Sequence, residues 1–198
     1  DKFSLKVANF LLSKDINSPA IECTLTGPSL KFLKSYYLVI TGADMNPKIN
    51  DKSFKMYEVR RVKANDILSL SSCSIGCRSY IAFSEDLVSE RFLDSVSTYL
   101  PAKLGGIEGL PLEVGSVIST IKADFDVTNS EDIDPYLLNS YTNDWQLSAM
   151  EGLEFVFLSS KSKKDIFTTT FSVSNDSNRM GNRLKGINLE LINNGHMV

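Results

Sequence analysis

The side chains able to do chemistry fall in four places along the sequence. Thr41-Gly42-Ala43-Asp44 closes a strongly apolar run, Tyr36-Tyr37-Leu38-Val39-Ile40, at the kind of strand end where functional loops gather. A carboxylate there can orient an amide N–H or act as a general base, with Thr41 beside it as a substrate-binding hydroxyl. The competing reading has Asp44 bonding its own turn backbone ahead of Asn46-Pro47. Ser97 and Thr98 can donate to an oxyanion or satisfy local backbone. Gly105 and Gly106 open a glycine-rich loop, Gly105-Gly106-Ile107-Glu108-Gly109, which permits positive φ or close backbone approach. In Asn178-Arg179-Met180-Gly181-Asn182-Arg183, Asn178 offers an amide donor and acceptor. Arg179 can clamp a carboxylate of a substrate or a partner's acidic group. Alternatively Arg179 and Arg183 pair with local carboxylates such as Asp176.

Other chemistries are excluded by count. The single histidine is His196, so a Ser-His-Asp or Cys-His nucleophilic scheme would hang on one residue near the end of the sequence. Three cysteines, Cys23, Cys73 and Cys77, are an odd number that argues against a disulfide framework, and a four-ligand zinc site would need all three together with His196 near the end of the sequence, so no metal is expected. The glycine loop is not followed by Gly-Lys-Ser/Thr and opens no long helix, so it is not a phosphate loop.

These residues need elements to position them. The 198 residues are 42% hydrophobic, enough to bury a core without staples. Phe3, Val7, Phe10 and Leu11 recur at helical spacing after Asp1 and predict a short amphipathic helix over 1 to 12. Ile21, Cys23 and Leu25 alternate with polar residues as a half-buried strand does. Further strands are expected at 30 to 33, 36 to 41, 55 to 61, 67 to 70, 79 to 83 and 117 to 121. More follow at 155 to 158 and 165 to 173, the last rich in Thr and Phe. Residues 135 to 138 and 145 to 152 read as helical or irregular. Many short strands with frequent turns argue for a mainly β barrel or sandwich with a few short helices, with a possible subdomain boundary near 119 to 134. A net charge of −3 and no dense Lys/Arg cluster argue against nucleic acid and anionic membranes as partners, and no apolar stretch approaches a membrane span. No secretory signal is visible, so a cytoplasmic location is expected.

Several strings in order carry a resemblance: Gly27-Pro28-Ser29-Leu30-Lys31-Phe32, Ile40-Thr41-Gly42-Ala43-Asp44, Gly76-Cys77-Arg78-Ser79-Tyr80, Ser95-Val96-Ser97-Thr98-Tyr99 with Gly105-Gly106-Ile107-Glu108-Gly109, and the most specific, Ser177-Asn178-Arg179-Met180-Gly181-Asn182-Arg183-Leu184-Lys185-Gly186. Together they resemble the family variously called 5-oxoprolinase C-subunit, KipA, allophanate hydrolase subunit 2 and biotin-dependent carboxyltransferase. The resemblance implies a cyclophilin-like β-barrel. It also implies two partners, a KipI-like B-subunit plus an A-subunit, together with a small amide or ureide substrate and ring-opening hydrolysis of 5-oxoproline to glutamate. ATP would then be bound by the assembled complex, not by a motif in this chain. One alternative is carboxyl transfer from biotin to a urea-like acceptor; another is a KipA-type, non-enzymatic antagonist of a sensor-kinase inhibitor. The family pattern departs at Val96 and Leu110, where it carries arginines, at Ser116, and at Ser84-Glu85, where it carries glycines. The family also runs beyond both ends, so residues 1 to 198 are expected to be one family domain truncated at both.

Overall fold

A computed structural model of the protein describes residues 1–123, 133, 142, 144–178 and 180–192. Arg179, His196, residues 135 to 138 and most of the expected boundary at 119 to 134 lie outside the described residues. The chain packs as two compact units, Asp1–Asn143 and Asp144–Val198.

The first unit opens with α1 (Lys2–Leu11), capped by Asp1, whose Oδ1 accepts from the Ser4 N–H at 3.0 Å. Ser4, Val7, Ala8 and Leu11 form its buried stripe, at the i, i+3, i+4, i+7 spacing of one helical face. Phe3 and Phe10, expected on that face, project outward at 43% exposure each, because they sit one position off the stripe.

Two four-stranded antiparallel sheets follow. One runs β1 (Ile21–Thr24), β8 (Ile75–Phe83), β3 (Tyr36–Asp44), β6 (Arg60–Val62) in spatial order. The other runs β2 (Ser29–Lys31), β7 (Ile67–Ser69), β4 (Lys48–Ile49), β5 (Lys52–Ser53). Alternation along β3 and β8 decides the layers. Leu38, Ile40, Ile81 and Phe83 join the main cluster with Leu68, Leu70 and Phe54, whereas Val39 and Ala82 join the cluster with Val7, Ala8, Leu11 and Leu12 of the α1 region. The central strands are therefore covered on both faces, which is why Leu38-Val39-Ile40 reads as an unbroken apolar run. These sheets are open at both ends, so the described strands make a mainly β, antiparallel fold with two helices and do not close into the expected barrel. With α1 already burying one face of the first sheet, curling is not needed to cover it.

Several boundaries differ from expectation. Of residues 55 to 61 only Arg60 and Arg61 are in a strand, since the chain turns at Tyr57 with φ +60° to bring its hydroxyl to Gly42. Among the described residues this unit also holds a pair of short strands, β9 (Asp86–Leu87) and β10 (Thr120–Ile121).

In the second unit, residues 145 to 152 are irregular and exposed. Leu153–Phe157 is a 3-10 helix and α2 spans Ser160–Thr168, where strands were expected. The β propensity of Thr and Phe is overridden by a local cap: Ser159 Oγ accepts from the Ser162 N–H at 3.1 Å, and Phe155 stacks edge-on against Phe167 of the helix. Strands β11 (Ser172–Val173) and β12 (Leu184–Lys185) then pair antiparallel.

Candidate functional site

Residues 88 to 119 form an excursion whose ends are held together. β9 pairs with β10, and the Val88 N–H donates to the Ser119 carbonyl at 2.9 Å. Inside it the chain folds back on itself twice. Phe92 and Ser95 exchange backbone hydrogen bonds across Leu93 and Asp94, both with positive φ, and Tyr99 and Leu104 do the same around a 3-10 turn at Leu100–Ala102. The two folds are sewn together through glycine: the Glu90 N–H donates to the Gly106 carbonyl at 2.6 Å, and the Gly106 N–H donates to the Val96 carbonyl at 3.1 Å.

Gly105 and Gly106 have φ of +67° and +63°. A Cβ on Gly105 would fall on the Ser97 carbonyl oxygen, and one on Gly106 on the Thr98 side chain. Glycine at both positions is thus a steric requirement of this crossing, and it fixes Ser97 and Thr98 in place. Neither hydroxyl makes a hydrogen bond with the described residues, and Ser97 is exposed. The pair is a rigidly mounted set of two donors with acceptors still to find.

The residues on β3 are placed differently. Thr41 is fully buried on the α1 side, its Oγ1 donating to the Ser4 carbonyl at 2.7 Å. The β3–β8 register shifts between Gly42 and Asp44, and the Ala43 carbonyl accepts from Ser79 Oγ. This bulge turns Asp44 out to solvent, where Oδ1 accepts from the Asn46 N–H at 2.7 Å. In the second unit, Asn178 and Gly181 exchange backbone hydrogen bonds, and Asn178 Oδ1 accepts from the Met180 N–H at 2.8 Å. Arg183 contributes its backbone: its N–H donates to Ser177 Oγ at 2.9 Å and its carbonyl accepts from Ser174. Ser97, Thr98, Gly105 and Gly106 therefore come together in one loop cluster, while Thr41 and Asp44 share a strand but face opposite surroundings. Among the described residues no group of His, Cys, Asp or Glu is placed to hold a metal.

The sequence reading missed a polar cluster at the base of the excursion. Glu85 Oε2 meets Lys34 Nζ at 2.7 Å and accepts from Thr120 Oγ1, which also lies 3.2 Å from the Tyr36 hydroxyl. Ser84 Oγ accepts from the Tyr37 N–H at 3.2 Å, so the Ser84-Glu85 departure from the family pattern has local partners of its own. Burial works against the Glu85 charge, but the hydrogen bonds from Lys34 and Thr120 and the fields of Lys34 and Lys122 outweigh it and lower its pKa. The hydrogen bond to Glu85 raises the pKa of Lys34. The contribution of Glu85 to stability is present above its unfolded-state pKa and is lost as pH falls through the lowered folded value. That of Lys34 is present below its unfolded pKa and is lost as pH rises through the raised folded value. Glu85→Gln should flatten the acid limb of a stability-against-pH curve measured by urea unfolding. An unchanged acid limb would show that the pair does not contribute.

The described parts define an antiparallel, mainly β domain carrying a clamped loop pinned by glycines. A family described as "Carboxyltransferase domain, subdomain A and B" matches residues 1–198, and the chain belongs to that family. It is 32% identical to the 5-oxoprolinase C-subunit of Haemophilus influenzae over 96% of this chain and 60% of that protein. It is 28% identical to urea amidolyase of Saccharomyces cerevisiae over 94% of this chain and 10% of the relative. The crystal structure of Kluyveromyces lactis urea carboxylase superposes with a TM-score of 0.84 at 26% identity, covering 96% of this chain and 18% of that one. The chain thus spans about three-fifths or less of these relatives.

Proposed function

We propose that this chain is part of an ATP-dependent 5-oxoprolinase, binding the lactam and contributing to its hydrolytic opening to glutamate with a KipI-like B-subunit plus an A-subunit. The supporting observation is the 32% identity to a 5-oxoprolinase C-subunit over 96% of the chain. In this reading Arg179 and Asn178 hold the substrate carboxylate and amide, and Ser97 and Thr98 donate to the oxygen on which negative charge grows during ring opening. Asp44 takes a proton from the attacking water. The glycine loop does not suit a nucleotide phosphate: the Gly106 and Gly109 N–H groups are already committed to Val96 and Gly105, and residues 110 to 123 after it hold no helix. ATP is accordingly assigned to the partner proteins. The cyclophilin-like architecture, a single domain extending past both ends of this chain, and a cytoplasmic location belong to the same proposal.

A second reading, carboxyl transfer from biotin to a urea-like acceptor, is favoured by the TM-score of 0.84 to urea carboxylase. The two separate in one experiment. The full-length protein co-expressed with the B- and A-subunits is assayed for glutamate formed from 5-oxoproline and ATP, and in parallel for carboxylation of urea in the presence of a carboxylated biotin carrier. Glutamate formation supports the first reading and urea carboxylation the second. Stable binding of the KipI-like protein with neither turnover overturns both and supports a KipA-type antagonist. Arg179→Ala should raise KM at least about tenfold, the loss of one charged hydrogen bond. An unchanged KM removes Arg179 from the site.

A further inference from the structure

A groove in the first unit is lined by β4, β5, β6 and the connection after β5, and by no residue of the loop cluster. Phe54, Ile49 and Val62 form its apolar floor and Lys52, Arg60 and Arg61 its rim. Three features meet there. First, β5 ends the second sheet and β6 ends the first, so two of the three strands lining the groove are sheet edges. No backbone hydrogen bond from the described residues reaches the outer side of β6. Second, the charge is local and of one sign: residues 45 to 66 hold six Lys and Arg against three Asp and Glu, in a chain whose net charge is −3. Third, the nearby carboxylates are largely engaged. Glu58 is paired with Lys55 at 3.2 Å and Arg60 at 2.9 Å, and Asp66 accepts from the Lys63 N–H and from Asn50. Asp51 sits in the tight turn between β4 and β5, with φ +64°. Lys52 and Arg61 have no ion pair among the described residues.

Cationic side chains on an edge strand deter a second copy of the same edge from pairing with it. They do not deter an acidic one. We propose that this groove docks an extended, acidic segment of a partner protein, which adds as a strand along β6 with alternate carboxylates on Lys52 and Arg61 and alternate apolar side chains on the Phe54 floor. The period of two in such a strand matches a groove that is charged at the rim and apolar at the base.

The test uses the full-length protein and a short fluorescent peptide alternating Glu and Val, read by anisotropy. Binding is expected to weaken roughly tenfold or more in the double variant Lys52→Glu/Arg61→Glu, whose fold is checked by circular dichroism. As both side chains are at the surface, that variant should fold. A peptide of the same sequence N-methylated at alternate residues keeps its charge but cannot form one edge of a ladder; it should bind at least roughly tenfold more weakly to the unaltered protein. Equal binding of the two peptides, or full displacement by millimolar inorganic phosphate, would make the groove a simple anion site and overturn strand addition. So would no binding of either peptide at low salt.

Discussion

Gly42→Ala is expected to destabilise the first unit by about 3 kcal/mol or more, through about 1–2 kcal/mol for a left-handed backbone and about 1–3 kcal/mol for overpacking. Gly42 lies in the central β3–β8 pair with φ +89°, and an added Cβ would run into the Arg78 carbonyl oxygen, a backbone atom with nowhere to move. The Tyr57 hydroxyl also bonds both the N–H and the carbonyl of Gly42, so a shift of β3 strains that contact as well. Thermal unfolding should fall by roughly 6–12 °C for a unit of this size. Two matched substitutions isolate the cause. Gly115 has φ +92° with nothing within 4 Å of its added Cβ, so Gly115→Ala should cost only the conformational part, about 1 kcal/mol. Gly181 has open space as well and no positive φ, so Gly181→Ala should be close to neutral. Equal losses at Gly42 and Gly115 would show that the close approach of β3 to β8 is not what matters.

Gly105→Ala should act on turnover more than on stability. Its Cβ would push the Ser97 carbonyl and with it the Ser97-Thr98 segment, while most side chains of the excursion that carries them are solvent-exposed and only Ile118, at its far end, packs on an apolar cluster. A displacement of about 1 Å at groups that position a reacting oxygen costs on the order of 100-fold. In the assembled complex, kcat for glutamate formation is expected to fall by roughly that factor with a thermal midpoint within about 4 °C of the unaltered protein. Full activity in Gly105→Ala would take the loop cluster out of the site.

Much of the fold is legible where local signals agree with packing. Asp1 as a cap and the Ile21/Cys23 alternation lead directly to α1 and β1. The failures have physical reasons. Residues 165 to 173 carry β-favouring Thr and Phe, yet Ser159 caps a helix that runs into them, and a cap outweighs propensity over so short a stretch. The bulge at Ala43 is not visible in the sequence because it depends on Ser79, far away along the chain, to satisfy the carbonyl it frees. The Lys34–Glu85–Thr120 cluster is hidden for the same reason, since its members are near one another only after β9 and β10 pair. The glycines of 105 to 109 are legible as a tight loop, but what they press against is not: sequence shows that a Cβ is missing and leaves unsaid which neighbour requires it.

The order β1, β8, β3, β6 also governs how the chain can reach its native state. Ile21 finds its partner in Ile81 and Ile40 in the same residue, so no two adjacent strands of the first sheet are consecutive along the chain. Such non-local pairing places folding in the millisecond-to-second range rather than the microseconds of a helical bundle. During synthesis, β3 can pair with β6 once Val62 has left the ribosome, but β1 has no neighbour in its sheet, and β3 lacks its other one, until β8 has emerged as far as Phe83. The nascent chain is therefore a natural client for chaperones until β8 arrives, and a truncation before residue 83 yields an aggregating product rather than a smaller domain.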